Sequence, residues 1–173
     1  MVERTFGTRK APSQAYPDYR DIRDRNRSFE SLVSYDIIGG VGLDTGSGNP
    51  SVVWPYMVTG NYFDALGIRP YLGRFIHASD EHGKNSVPYI VLSYAYWRDH
   101  FNSDPAAVAP RDFRGTELFF APDLWVPLVD LPQIGGWDPL QDRGSHFTWI
   151  IGRLKPGITP AATMSDLNIL PLR

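Results

Sequence analysis

Apolar residues in this chain recur at two spacings, and the switching between them marks out short strands and short helices. Residues 2–6 have a strand-like pattern, and residues 10–15 have the composition of a loop. Pro17 is a good first-turn residue, and a helix is predicted from there to about Asn26, with Tyr19, Ile22 and Asn26 on one face. Its other faces carry Asp18, Asp21, Arg20, Arg23 and Arg25, with Asp21 and Arg25 at the favourable i,i+4 spacing. Acids interleave with bases, so a solvated helix face is expected here and not a nucleic-acid-binding arm. Tyr35 and Ile37, then Val41 and Leu43, alternate on either side of Gly39-Gly40, predicting a strand interrupted by a bend.

Residues 44–50 have turn composition, and 51–58 form a strand-like run rich in Val and aromatics. A buried strand is predicted over 87–92, followed by a helix over 94–101 that places Tyr94, Trp97 and Phe101 on one face, with Ser93 as its cap. Pro127 limits a short strand beginning at Asp123. Residues 135–144 are expected to be a loop, and 147–154 a strand covered on both faces. Thr159-Pro160 supplies a cap and first-turn proline to a last helix reaching Leu167.

Residues 58–75 are the stretch around which the rest can be arranged. Gly60-Asn61 punctuates the preceding strand, and Asn is a favoured N-cap. Tyr62, Phe63 and Leu66 follow on neighbouring helical faces, and Gly67 stands where a C-cap glycine belongs, predicting positive φ there and burial of Tyr62 and Phe63. Pro70 stiffens the exit towards Gly73-Arg74-Phe75. Nothing in the stretch is a nucleophile or a metal ligand. It has the makings of an aromatic plug that fastens a strand end to a short helix.

The run Val58-Thr59-Gly60-Asn61-Tyr62-Phe63-Asp64-Ala65-Leu66-Gly67, continued by Pro70, Gly73, Arg74 and Phe75, resembles a signature of the MacB-like periplasmic core domain. That module belongs to permeases of the macrolide-exporter type of ABC transporter, and only Thr59, where Ser is usual, departs from the pattern. Four further segments resemble the family in the same order: Tyr16-Pro17-Asp18-Tyr19 with Asp24 to Phe29; Val91-Leu92-Ser93-Tyr94 with Trp97; Phe101 with Asp104-Pro105-Ala106 and Val108; and Gly152 to Gly157 with Thr159. Asp123-Leu124-Trp125-Val126-Pro127-Leu128 also fits. The family carries two strands and a turn after the valine, whereas here Val108 leads directly to Ala109-Pro110. An interruption of the chain is expected at that seam. The same is expected at Asn168–Ile169, where the last helix meets residues resembling a later strand.

The resemblance implies an α+β fold in two small lobes. A porter-like lobe of split βαβ–βαβ form would combine residues 1–49 and 144–173, and an inserted mixed α/β lobe would span about 50–143. It implies Gly60, Asn61, Tyr62, Phe63, Gly67, Gly73 and Arg74 as structural motif residues, with no catalytic, cofactor or metal role. It also implies a non-catalytic domain on the periplasmic face of the cell membrane. The expected partners are a periplasmic adaptor protein or a second permease copy, and the expected role is passing on conformational change.

Composition bounds the alternatives. At 173 residues there is room for one domain or two small lobes. A net charge of −2 gives no electrostatic case for nucleic acid. Zero cysteines exclude disulfides and thiolate metal sites. No apolar run approaches the ~18–20 residues that cross a bilayer, so any membrane attachment is expected through flanking spans.

Three local clusters invite a chemical reading. Gly39-Gly40-Val41-Gly42 lacks both the third spaced Gly of a dinucleotide fingerprint and the Gly-Lys-Ser/Thr of a P-loop, which leaves a bend or hairpin and no cofactor. His77, Asp80, Glu81 and His82 are the best metal candidates, but with Gly83 and Asn85 following they read as a solvated acidic loop. Ser93 lacks the glycines of a nucleophile elbow. A second reading is a stand-alone periplasmic ligand-binding module using Trp54, Tyr56, Trp97, Trp125 and Trp137, since aromatics make up 13% of the chain.

Overall fold

The structure, a computed structural model, describes residues 4–6, 9–11, 13–44, 49–104, 116 and 121–169. It is an α+β fold of short helices with parallel and antiparallel strand pairs. The chain divides into two compact units, one built from residues 1–35 with 138–173 and the other from 36–137. The seam at Val108–Ala109 lies outside the described residues.

The first unit opens with β1 (Arg4–Phe6) and β2 (Arg9–Ala11), an antiparallel pair, so a strand stands where the sequence pattern predicts loop. Helix α1 (Tyr16–Arg25) follows with Pro17 in its first turn, and it buries Tyr16, Tyr19 and Ile22. Asn26 ends it. Its side-chain amide donates to the carbonyls of Ile22 and Arg23 at 2.9 Å each, and its oxygen accepts from the Phe29 amide at 2.8 Å. One residue thus stops the helix and launches β3 (Phe29–Ile37). The expected solvated face of α1 needs correction at Asp18. Its side chain is buried, and the Arg143 guanidinium reaches Asp18 at 2.7 Å and Asp21 at 2.8 Å. A buried carboxylate requires such a partner, and Arg143 is too distant in sequence for the pairing to show in local patterning.

Strand β9 (Trp149–Leu154) pairs antiparallel with β3, from Phe29 opposite Leu154 to Tyr35 opposite Trp149. Gly152 and Arg153 are exposed, so β9 is not covered on both faces as its apolar run suggests. Helix α5 (Pro160–Ile169) is capped by the Thr159 hydroxyl, which accepts from the Ala162 amide at 3.2 Å. The helix runs through Asn168 to Ile169, so no strand begins at that seam. Asp166 accepts from the Arg27 amide at 2.9 Å and the Ser28 hydroxyl at 2.8 Å, which ties α5 to the turn before β3.

The second unit holds β4 (Val41–Leu43) and β5 (Ser51–Val53), an antiparallel arm, and then β6 (Pro55–Val58). The sequence pattern reads 51–58 as one strand. It is two, because Asp123 takes hold of Trp54 between them: the carboxylate accepts from the Trp54 amide at 2.9 Å and the Asp123 amide donates to the Trp54 carbonyl at 3.1 Å. Beyond that break β6 pairs in parallel with β8 (Leu124–Pro127), and both strands are buried throughout. Buried parallel strands read as continuous apolar runs, as these do.

The connection from β6 to β8 contains α2 (Tyr62–Leu66), β7 (Val91–Leu92) and α3 (Tyr94–Phe101). Strand β7 pairs antiparallel with β8 and is shorter than the predicted 87–92. Pro88 has no donor for a ladder, and the Val87 amide turns to the Asp130 carboxylate at 3.5 Å. Helix α4 (Leu131–Gly135), with Pro132 in its first turn, has no counterpart in the sequence reading and ends at Gly136.

Candidate functional site

Two places in the second unit stand out, one tightly packed and one open. The packed one is built on α2. Gly60 lies so near residues 77–78 that a Cβ there would come within 2.6 Å of the His77 carbonyl oxygen and 2.9 Å of the Ala78 Cα. Only glycine permits that approach. Asn61 occupies the N-cap position, but its side chain does not accept the cap hydrogen bond that Asn is expected to supply. The first turn is closed by backbone, with the Tyr62 amide on the Thr59 carbonyl at 2.9 Å.

Tyr62 and Phe63 are wholly buried. The Phe63 ring stacks on Phe75 with centroids 4.0 Å apart and meets Trp125 of β8 edge-on at 5.7 Å. The Tyr62 hydroxyl donates to the Thr116 hydroxyl at 3.2 Å. Gly67 ends α2 in the left-handed region at φ +68°, and Gly73 repeats that conformation at +66°.

Arg74 then closes a polar clasp over this core. Its guanidinium donates to Asp80 at 2.9 Å and to the Tyr89 hydroxyl at 2.6 Å, and it lies 4.6 Å above the Tyr89 ring centroid. Tyr89 in turn donates to the other Asp80 oxygen, which also accepts from the His77 amide at 2.8 Å. The Arg74 guanidinium, then the Tyr89 hydroxyl, hold the Asp80 carboxyl well below the usual carboxylate range. Burial, then the bond to Asp80, push the Tyr89 hydroxyl up to about 12.

Residues 58–75 predict the burial of Tyr62 and Phe63 and the positive φ of Gly67, but neither the close approach at Gly60 nor Asp80 and Tyr89 as the partners of Arg74. Asp80 is legible only as part of the acidic loop. That loop divides its side chains between Arg74 and, through His77, Asp64 at 2.9 Å. Among the described residues no group of three or more His, Asp or Glu gathers as a metal site would need. The Ser93 hydroxyl accepts from the Tyr96 amide at 3.1 Å, which is the capping role.

The open place is a cavity of about 360 Å³ beside the β4–β5 arm. Val53, Pro55, Leu124 and Val126 form its buried floor. Half-buried Val41, Leu43, Ile90 and Ile134 form its walls, and exposed Gln133 is at its rim. None of the five aromatics considered for ligand stacking lines it. Tyr56, Trp97 and Trp125 are core residues at 0%, 4% and 0% exposure, which corrects their assignment to a binding surface. Only Trp54 and Trp137 of that set are exposed.

No family model matches the chain, and no curated protein matches its sequence. Its fold does match solved structures. One is a domain assigned to a permease protein of Porphyromonas gingivalis, at 11% identity and a TM-score of 0.64 over 89% of this chain and 68% of that one. Another is the periplasmic region of MacB from Actinobacillus actinomycetemcomitans, at 11% identity and a TM-score of 0.62 over 91% of this chain and 72% of that one. At this identity the likeness establishes a shared fold: the chain has the architecture found in these two structures.

Proposed function

We propose that the chain is the extracytoplasmic domain of an ABC-transporter permease of the macrolide-exporter type. In this reading it catalyses no reaction. It meets a periplasmic adaptor, a substrate or a second permease copy, and passes on the motion that cytoplasmic ATP hydrolysis drives. The observation that carries the reading is the likeness of about nine-tenths of the chain to a permease domain and to the periplasmic region of MacB. The motif at 58–75 supports it, with Gly60, Asn61, Tyr62, Phe63, Gly67, Gly73 and Arg74 as a lock that keeps one body rigid while force passes through it. Rigid bodies that move against each other across interfaces are the usual means of such transmission. Residues 1–49 with 144–173 would then be the porter-like lobe, and 50–143 the inserted one. The stand-alone aromatic-binding alternative is weakened, because three of its five aromatics are core residues.

The test uses the whole gene product in its own membrane. The chain has no cysteine, so a single Arg20→Cys on the exposed side of α1 gives this domain a unique thiol. In spheroplasts a membrane-impermeant maleimide is expected to label it without lysis. Labelling that requires lysis would place the domain in the cytoplasm and overturn the assignment.

A further inference from the structure

The cavity beside the β4–β5 arm is separate from the packed motif, and its chemistry narrows what it can hold. Every side chain on its floor and walls is aliphatic. Ring stacking has no platform there, and no lining residue is charged, so neither a sugar nor an ion is recognised. Water held deep in it has few side-chain partners, because a held water needs two to four polar partners and among the described residues the one polar lining side chain is Gln133 at the rim.

Size narrows the choice further. A cavity of about 150 Å³ accepts a benzene ring, so the 360 Å³ here takes on the order of a dozen carbons. That is more than any single amino-acid side chain provides. One inserted by a protein partner would leave part of the lining without contacts. We infer that this cavity binds an aliphatic chain of about a dozen carbons. Its methyl end lies on Pro55, Leu124 and Val126, and its head lies in solvent near Gln133. Such a site measures length and ignores head charge, and it does so whether or not the chain belongs to a transporter.

The experiment is a calorimetric series on the 173-residue protein with fatty acids from hexanoate to hexadecanoate, each below its micelle concentration, and with the matching monoacylglycerols. Affinity is expected to rise about fourfold per added CH₂ and to level off near twelve carbons, alike for charged and neutral heads. Ile134→Trp, on a half-buried wall, should bring the plateau to shorter chains, and Ile134→Ala should move it to longer ones. Co-sedimentation with phosphatidylcholine vesicles separates the two sources of such a chain. Vesicle binding points to a lipid tail, and binding of soluble chains alone points to a free acid. The inference is overturned if no ten- or twelve-carbon chain binds at about 1 mM, if affinity is indifferent to length or follows head charge, or if both folded Ile134 variants keep the wild-type plateau. It is also overturned if the protein covers the cavity by associating with itself.

Discussion

Around α2, backbone comes within van der Waals limits of backbone, rings stack on rings, and Arg74, Asp80 and Tyr89 satisfy one another above them. Beside the β4–β5 arm, in the same unit, aliphatic side chains line a cavity of about 360 Å³. Interiors are ordinarily packed like organic crystals. The contrast teaches that this unit spends its close fit on fixing one helix turn to a strand end and leaves its freedom at the arm. A lock and a receptacle need opposite kinds of packing.

The largest expected effect breaks the packed side. Phe63→Ala removes a ring that contacts Tyr62, Phe75 and Trp125, and is expected to cost about 3–5 kcal/mol in chemical denaturation. Unchanged stability would mean that the plug is ornamental. Next is Gly60→Ala, whose methyl meets backbone that must move, at a cost of about 1–3 kcal/mol. Gly39→Ala is its control. A Cβ at Gly39 meets nothing within 4 Å, so the midpoint of unfolding should barely shift. Equal losses at the two glycines would erase the distinction drawn between tight and open regions.

Asp36 sharpens the comparison from the strand that leads into the arm. Burial raises its carboxyl to about 6. The folded state therefore disfavours the ionised form, and the resulting penalty grows as pH rises from about 4 to about 6 and is complete above that. Asp36→Asn should stabilise the protein by about 1–2 kcal/mol at pH 7, with the gain vanishing by about pH 4. A gain independent of pH would show that ionisation is not its source. The smallest effect is Ile134→Trp. Adding volume to a full core costs about 1–3 kcal/mol, but beside an open cavity the change should stay within about 0.5 kcal/mol.

The packed region is legible in sequence because its constraints are local. Gly60 and Gly67 bracket six residues, and the spacing of Tyr62, Phe63 and Leu66 follows the helix. What escapes is set by residues far away. The break at Trp54 depends on Asp123, 69 positions on, and the burial of Asp18 depends on Arg143, 125 positions on. Tyr56 and Trp125 pair across β6 and β8, and an aromatic in a strand buried on both faces carries the same letter as one at a surface. The cavity is the least legible of all. Its lining comes from five short elements and from Ile90 outside them, and an aliphatic residue beside a cavity has the same chemistry as one that faces a neighbour. Volume is not written in residue types.

The tie between Asp166 and the Arg27–Ser28 turn has a consequence for biosynthesis. The bond from the Arg27 amide spans 139 residues, and β3 must likewise await β9. The 36–137 unit holds the β4–β5, β6–β8 and β7–β8 pairs and leaves the ribosome before residues 138–173, which carry β9 and α5. At about 5–20 residues per second that wait is on the order of ten seconds. During it the Arg27 amide and the Ser28 hydroxyl have yet to meet Asp166, and the turn before β3 is one that a chaperone has time to hold.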